Sequence, residues 1–468
     1  MNKEKTQGQL LAEQLLYKPK TVAEKDPEAA SQAQAFCEGY KVYLDKGKTE
    51  RECVDYTEQL LVQNGYEPFV PGKRYAPGAK IYENNRGKSI LAATVGSRPL
   101  EEGVHMNIAH VDAPRLDLKP VPLYESDDLA FLKTHYYGGI RKYQWPAMPL
   151  SLHGVLFKEN GEKVEVCIGE DDADPVFCIT DLLPHLSADQ NGRKLSEGIK
   201  GEELNILVGA QPISDPAVEQ KVKLYTLKLL YDKYGITEKD FIRAELEAVP
   251  AFKARDVGFD RSLLGAYGQD DRVDAYTALM AEIETKAPAF TTVCVLTDKE
   301  EIGSDGVTGL NSMYTFHFLQ QLCQNQGADH IKTFKASKCL SADVTAACDP
   351  TFDSAFERRN STFVGYGIGI SKYTGVRGKG STNDAGAELM AYLLGLLDAN
   401  GITWQIGELG KVDQGGGGTV AKYVAYHNID TVDIGVPVLS MHSPYEITSK
   451  ADVYMAYRTF KAFNEADE

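Results

Sequence analysis

One pattern constrains this chain more than any other: apolar, strand-like runs that close on a histidine or a carboxylate. The clearest is Thr291-Thr-Val-Cys-Val-Leu296, β-branched and apolar as a buried strand should be, which leads through Thr297-Asp-Lys into Glu300, Glu301 and Gly303. Neighbouring residues at a strand end point different ways, so two adjacent glutamates there can serve one site in different roles. One can bind a metal while the other holds or deprotonates a water. Alone, such a pair is more often a solvated acidic turn, and its weight comes from recurrence. Val104-His-Met-Asn-Ile-Ala-His110 runs into Val111-Asp112-Ala-Pro114, Lys338-Cys-Leu-Ser-Ala-Asp343 ends in an aspartate, and Thr431–Ser440 runs into Met441-His442. Strands of this kind alternating with helical stretches predict an α/β fold with a mostly parallel sheet, in which residues at the carboxyl ends of the strands converge.

A chain of 468 residues is long enough for two domains and a sizeable core. Its net charge of −17 argues against nucleic acid or an anionic membrane as the main partner. The eight cysteines are scattered with no Cys-x-x-Cys pair, the usage of reduced thiols in a cytoplasmic protein. Any metal must therefore be held by histidines and carboxylates. The polar amino terminus lacks the apolar core of a signal peptide, and no run of about 18 apolar residues occurs, so no membrane partner is expected.

Residues 1–120 read as the first part of the site-bearing domain. Helices are predicted over 9–65, with Thr49 and Glu52 set as a capping box, followed by the strands Ser89–Val95 and Val104–His110. The apolar stripe Leu10, Leu11, Leu15 and Leu16 is expected to pack on its own subunit or on a sister copy. His105, at the opposite parity from His110, reads as structural. Residues 121–250 change texture. Turns at Tyr137-Gly-Gly139, Asn160-Gly161 and Asn191-Gly192, short alternating strands and a helical piece near Lys221–Tyr234 mark an inserted β-rich domain. Within it, His185 of Leu182-Leu-Pro-His-Leu reads as a core residue unless the insert reaches a neighbour's site. Residues 251–468 form the second part of the site-bearing domain. Asp270 precedes a helix, where a plain N-cap is the ordinary reading. Val412–Val420 carries four consecutive glycines without the Gly-Lys-Ser/Thr of a P-loop.

Collected, His110, Asp270, Glu300, Glu301, Asp343 and His442 suit a two-metal hydrolytic site with one bridging carboxylate. Zinc fits the histidines best, and cobalt or manganese would suit the carboxylate share. Asp112 can orient a metal-binding imidazole or contact the water.

His110-Val-Asp-Ala-Pro, Asp270-Asp-Arg, Glu300-Glu-Ile-Gly-Ser, Ser341-Ala-Asp343 and Ser440-Met-His442-Ser-Pro-Tyr-Glu446 resemble, in this order, the motifs of the aminopeptidase I / aspartyl aminopeptidase family of dizinc metallopeptidases. The resemblance covers nearly the whole chain, including an insert after the first motif. It implies a metal-dependent aminopeptidase that removes N-terminal residues from peptides. It implies His110 and Asp343 on one metal, Glu301 and His442 on the other, and Asp270 bridging both. It further implies Glu300 as the general base toward a metal-bridging water, with Asp112 orienting His110. In assembly it implies an inserted domain that mediates dimers, and dimers that close into a tetrahedral dodecamer around a chamber. His185, in a Pro-His-Leu similar to the family's, would then reach a neighbouring site as a catalytic residue.

The aspartyl-selective branch is similar to Ile-Lys-Val-Asn where this chain reads Ile368-Gly369-Ile370-Ser371. Without that lysine an acidic side chain loses its charge partner, so neutral, apolar or broad specificity is expected. An acidic preference is the alternative, because Lys372 and Arg377 lie close in sequence. Thr345, Ala346 and Asp349 stand where many members carry histidines, and none is a ligand in this assignment. Two other readings compete. A carboxypeptidase or amide deacylase on the same scaffold would need Arg115, Arg272 or Arg377 for a substrate carboxylate. A self-assembling shell protein without turnover would have no use for Glu300 and would retain costly buried carboxylates.

Overall fold

The computed structural model describes residues 5–468 and is built around a nine-stranded sheet. Its four middle strands, Thr291–Thr297, Val104–His110, Lys338–Ala342 and Asp430–Gly435, lie side by side in that order and run parallel. Every residue of the first two is buried, as continuous apolar runs covered on both faces require. Alternate side chains feed two cores. Cys294 and Leu296 join Tyr40 and Tyr43 of helix Pro27–Lys46, Leu279 of helix Gln269–Glu284 and Phe460 of helix Lys450–Asn464. Val293 and Val295 join Phe316 and Leu319 of helix Tyr314–Gln326 on the other face. Antiparallel strands extend the edges, Ser89–Thr94 and Lys80–Asn85 on one side and Ile368–Ser371 on the other. This is the mixed α/β, mostly parallel architecture that the sequence predicts.

The single strand expected over 431–440 divides between two sheets. Asp430–Gly435 stays in the large sheet, while Pro437–Leu439 pairs with Glu446–Ser449 and Thr345–Ala346 in a five-stranded one. Pro437 has no N–H to donate to a ladder, and the switch occurs there.

Residues 115–250 hold a separate seven-stranded antiparallel sheet, ordered Lys163–Ile168, Leu150–Phe157, Ala244–Pro250, Arg115–Ser126, Leu129–Tyr137, Asn205–Gly209, Cys178–Ile179. Asn160-Gly161 turns between its first two strands, with Gly161 at φ +85°. Buried ionic contacts tie this sheet to the rest. Arg115 sits 3.4 Å from Glu50 of helix Glu50–Gln63 and is held within the sheet by Glu247 at 3.1 Å. His153 Nδ1 lies 2.7 Å from Glu52, and its Nε2 faces Ser151 and Glu170 at 3.0 and 3.2 Å.

The capping box at Thr49 and Glu52 forms and starts helix Glu50–Gln63. Helix Gln7–Leu15 is capped by Thr6, yet Leu10, Leu11, Leu15 and Leu16 are all exposed. Of its two expected roles, packing on its own subunit is not what is observed, although the following Tyr17 stacks on Trp404. The eight cysteines are free, and six of them are buried. Among the described residues no helix is long and apolar enough to cross a membrane.

Candidate metal centre

Four of the six expected site residues, His110, Glu300, Glu301 and Asp343, lie at or just beyond the carboxyl ends of strands in the parallel sheet, while Asp270 comes from a helix start and His442 from the five-stranded sheet. His110 is the last residue of its strand, and Asp343 follows Lys338–Ala342 directly. Glu300 and Glu301 open a 3-10 turn, Glu300–Ile302, entered and left through Lys299 and Gly303 at positive φ. Asp270 lies in the first turn of Gln269–Glu284, with non-helical backbone and a cis peptide bond to Asp271. His442 lies beyond Pro437–Leu439 with φ at 63°, a backbone region few non-glycine residues occupy.

Asp270 stands between the two histidines. Its Oδ1 is 3.2 Å from His110 Nε2, and its Oδ2 is 3.1 Å from His442 Nε2. Asp343 Oδ1 lies 4.0 Å from His110 Nε2, and Glu301 Oε1 lies 3.5 Å from His442 Nε2. Ligand atoms of His110, Asp270 and Asp343 fall within 4.8 Å of one another, as do those of Asp270, Glu301 and His442. The arrangement can hold two cations that share one carboxylate.

The donor set also fits cations energetically. His110 Nε2, Asp270 Oδ1 and Glu301 Oε1 are buried without a hydrogen-bond partner, and each such atom ordinarily costs about 1–3 kcal/mol. Burial first, and then neighbouring carboxylates, push Glu301 and Asp343 above the ordinary carboxylate range. Burial, opposed by His110 and reinforced by Asp112 and Asp270, raises Glu300 to about 7. Positive charge at the centre would relieve this repulsion. Imidazole and carboxylate donors without a thiolate suit zinc, with manganese or cobalt as alternatives.

Asp112 meets His110 and more. His110 Nδ1 is 3.0 Å from the Asp112 backbone oxygen and 3.3 Å from its Oδ1. The same carboxylate accepts the backbone N–H groups of Glu300 at 3.1 Å and Glu301 at 3.2 Å, and the hydroxyl of Tyr137 at 2.7 Å. It therefore fixes the glutamate turn as well as the imidazole. Two contributors went unread in the sequence. Glu446 accepts the backbone N–H of Asp270 at 3.0 Å and of His442 at 2.7 Å, spanning both halves of the cluster. The Gly139 carbonyl, from the inserted segment, lies 2.8 Å from His442 Nδ1. Glu446 stood in the sequence only as the last residue of the Ser440–Glu446 motif, with no role read for it. The Gly139 contact is made by backbone, which no side-chain pattern reports.

A cavity of about 690 Å³ opens onto the cluster. Its walls include Ser371, Leu409 and Met441, the glycine loop Gly416–Thr419, and Gly139 and Arg141 from the insert. Thr419 donates its hydroxyl to Asp433 at 2.7 Å, so that group is engaged while the glycine backbone lines the cavity. His185 is exposed in the insert and is not among the lining residues. Of the arginines considered for a substrate carboxylate, Arg115 is taken up by the buried ionic contacts. Arg272 is buried and donates to the Val111 and Lys48 carbonyls. Arg377 lines a smaller neighbouring cavity, and Lys372 pairs with Asp384. Glu52, His153 and Cys167 also bring three ligand-type atoms together. Both nitrogens of His153 are already engaged there, so the group acts as an ionic staple between the insert and helix Glu50–Gln63.

The family model described as aminopeptidase I zinc metalloprotease (M18) matches residues 43–464. A probable M18 family aminopeptidase 1 of Borrelia garinii subsp. bavariensis is 48% identical over 444 residues, 93% of this chain and 97% of that protein. The crystal structure of an M18-family aminopeptidase from Thermotoga maritima superposes with a TM-score of 0.92 at 43% identity, covering 96% of this chain and all of that one. More distantly, the mApe1 dodecamer of yeast shares the fold with a TM-score of 0.74 at 22% identity, covering 93% of this chain and 96% of that chain.

Proposed function

The chain belongs to the M18 family of aminopeptidase I zinc metalloproteases, and from that premise we propose that it removes N-terminal residues from peptides at the cluster joining His110 and His442. The observation that carries this reading is Asp270, which turns one oxygen toward each histidine. His110 and Asp343 would hold one zinc, Glu301 and His442 the other, and Asp270 both. When bound, such a pair would supply Lewis acidity to the scissile carbonyl and lower the pKa of the attacking water. Burial raises Glu300 to about 7 in the metal-free site, and bound cations would lower it again, leaving a carboxylate ready to act as general base near neutral pH. It takes a proton from the water as oxygen bonds to the carbonyl carbon, then passes that proton to the departing amine as the C–N bond breaks. Asp112 holds Glu300 in line through its backbone N–H and keeps the His110 ring oriented. The glycine backbone at Gly416–Gly418, which lines the cavity, would contact the peptide main chain.

Neutral or broad specificity is favoured. A Cβ at Gly369 would lie 2.8 Å from Thr345 Oγ1 and from Thr362 Cγ2, so no side chain projects there without displacing the wall. Val344, Leu409 and Met441 give the cavity apolar surface. Arg141 and Lys422 also line it, and these two cations support acidic N-terminal residues as the second reading. The inserted sheet would mediate dimers, and dimers would build a dodecamer, the expected tetrahedral shell; the yeast mApe1 structure is itself a dodecamer. His185 would then meet a neighbouring site.

Matched peptides with free and acetylated amino termini test the activity. The zinc-loaded protein should release residues one by one from the free amino end only, and EDTA should stop it until Zn²⁺, Co²⁺ or Mn²⁺ is restored. Release from the carboxyl end, or equal cleavage of the acetylated peptide, would overturn the reading.

A further inference from the structure

Strand Leu129–Tyr137 of the inserted sheet ends against the metal centre, and three successive residues touch it. The Tyr137 hydroxyl donates to Asp112 Oδ2 at 2.7 Å. Gly138, at φ +71°, packs so close that a Cβ there would lie 3.2 Å from Glu301 Oε2 and 3.3 Å from Glu301 Cβ. The Gly139 carbonyl, which can only accept, receives a hydrogen bond from His442 Nδ1–H, so the neutral ring keeps its free electron pair on Nε2. Over one face of the Tyr137 ring the Arg115 guanidinium sits 3.9 Å from its centroid, held in turn by Glu50 and Glu247. The stacked guanidinium holds the ring, and its hydroxyl reaches the site.

We propose that Tyr137 is a positioning residue through which the inserted sheet sets the metal centre. Asp112 Oδ2 has two donors, the Tyr137 hydroxyl and the Glu301 N–H. With the hydroxyl gone, one weak backbone contact would restrain that oxygen, and the carboxylate could turn. The turn at Glu300–Glu301 and the His110 ring would both loosen, since both depend on that carboxylate. The fold of the insert would not change, because the stacked ring stays. Placement of the insert would thus be read out at the zinc ligands. The catalytic part of this inference rests on the aminopeptidase reading, and the zinc-holding part does not.

The test compares Tyr137→Phe with wild type and with Tyr136→Phe, whose ring is 41% exposed on the neighbouring position. Three quantities are measured on the full chain: zinc retained against a graded chelator, kcat and KM on a cleaved peptide, and the melting temperature of metal-free protein. Tyr137→Phe should lose zinc about 10- to 100-fold more readily and drop in kcat by a similar factor, with KM within about twofold. Its metal-free melting temperature should fall by no more than a few degrees, the cost of one buried hydrogen bond, and Tyr136→Phe should match wild type throughout. Gly138→Ala, which pushes on Glu301 directly, should show the same zinc loss by an independent route. Unchanged zinc retention in Tyr137→Phe overturns the proposal, whether or not the metal-free protein melts earlier. If wild type cleaves no peptide while Tyr137→Phe still sheds zinc, the aminopeptidase reading fails and this one stands.

Discussion

Two histidines of one strand, His105 and His110, are equally buried and meet opposite fates, because their neighbours differ. His110 presents Nε2 to a cluster of carboxylates. His105 is stacked between Phe290 and Phe463, each ring centroid 4.5 Å away, with Nδ1 on the Phe463 carbonyl at 2.8 Å. Burial lowers its pKa to about 4. The neutral form is thus the folded form. As pH falls from about 6.5 to about 4 the unfolded chain gains a proton that the folded chain refuses, so stability is lost with acid in that window. Urea unfolding of metal-free protein between pH 7 and pH 5 checks this against His105→Phe. The wild type should lose stability more steeply by up to about 1.4 kcal/mol per pH unit, one proton's worth. Parallel slopes would show that His105 does not titrate as described. At this scale the sequence is legible where a side chain closes an apolar run, as at His110, Glu301 and Asp343. It is silent where a residue acts through space, as Glu446 does on the backbone of Asp270 and His442.

At the scale of elements, the centre depends on how closely neighbouring strands approach. Gly435 ends Asp430–Gly435 beside the chain leaving Lys338–Ala342. A Cβ there would lie 1.9 Å from the Asp343 carbonyl oxygen and 2.7 Å from Asp274 Oδ2. Gly435→Ala should therefore displace Asp343, weaken zinc binding and cost about 1–3 kcal/mol by overpacking. Gly395→Ala, in the middle of helix Ala387–Ala399 with open space around it, should instead stabilise by about 0.5–1 kcal/mol. Thermal unfolding and zinc content of the pair check both signs, and equal effects would contradict the packing argument. The parallel middle strands were legible because burial on both faces writes uninterrupted apolar runs. The five-stranded sheet was not. Its pieces, such as Pro437–Leu439 and Thr345–Ala346, are too short for a period to register, and tertiary contacts define them.

At the scale of the molecule, the insert offers surface that one chain leaves uncovered. Leu182, Leu183 and Leu186 are at least half exposed on either side of His185. Apolar side chains grouped in this way mark contact surfaces. In the proposed assembly wild type should scatter light near twelve times the 51.5 kDa chain mass, and Leu183→Asp with Leu186→Asp should shift it to smaller species. A wild type that runs as a single chain, or an assembly indifferent to both changes, would remove the insert from the interface. Assembly was legible only through family resemblance, because a surface leucine looks the same in sequence whether or not a partner covers it.

The most direct test of the central claim is Glu300→Gln, compared with wild type on a panel of Leu, Ala, Lys, Asp and Glu anilides, with zinc content measured alongside. The change keeps the shape of the side chain and removes its base. Wild type should turn over at least one anilide, while the variant keeps its zinc and loses about 10²- to 10⁴-fold in kcat. A variant as active as wild type, or a wild type silent on every anilide with Zn²⁺, Co²⁺ and Mn²⁺, would contradict a zinc aminopeptidase with Glu300 as its base.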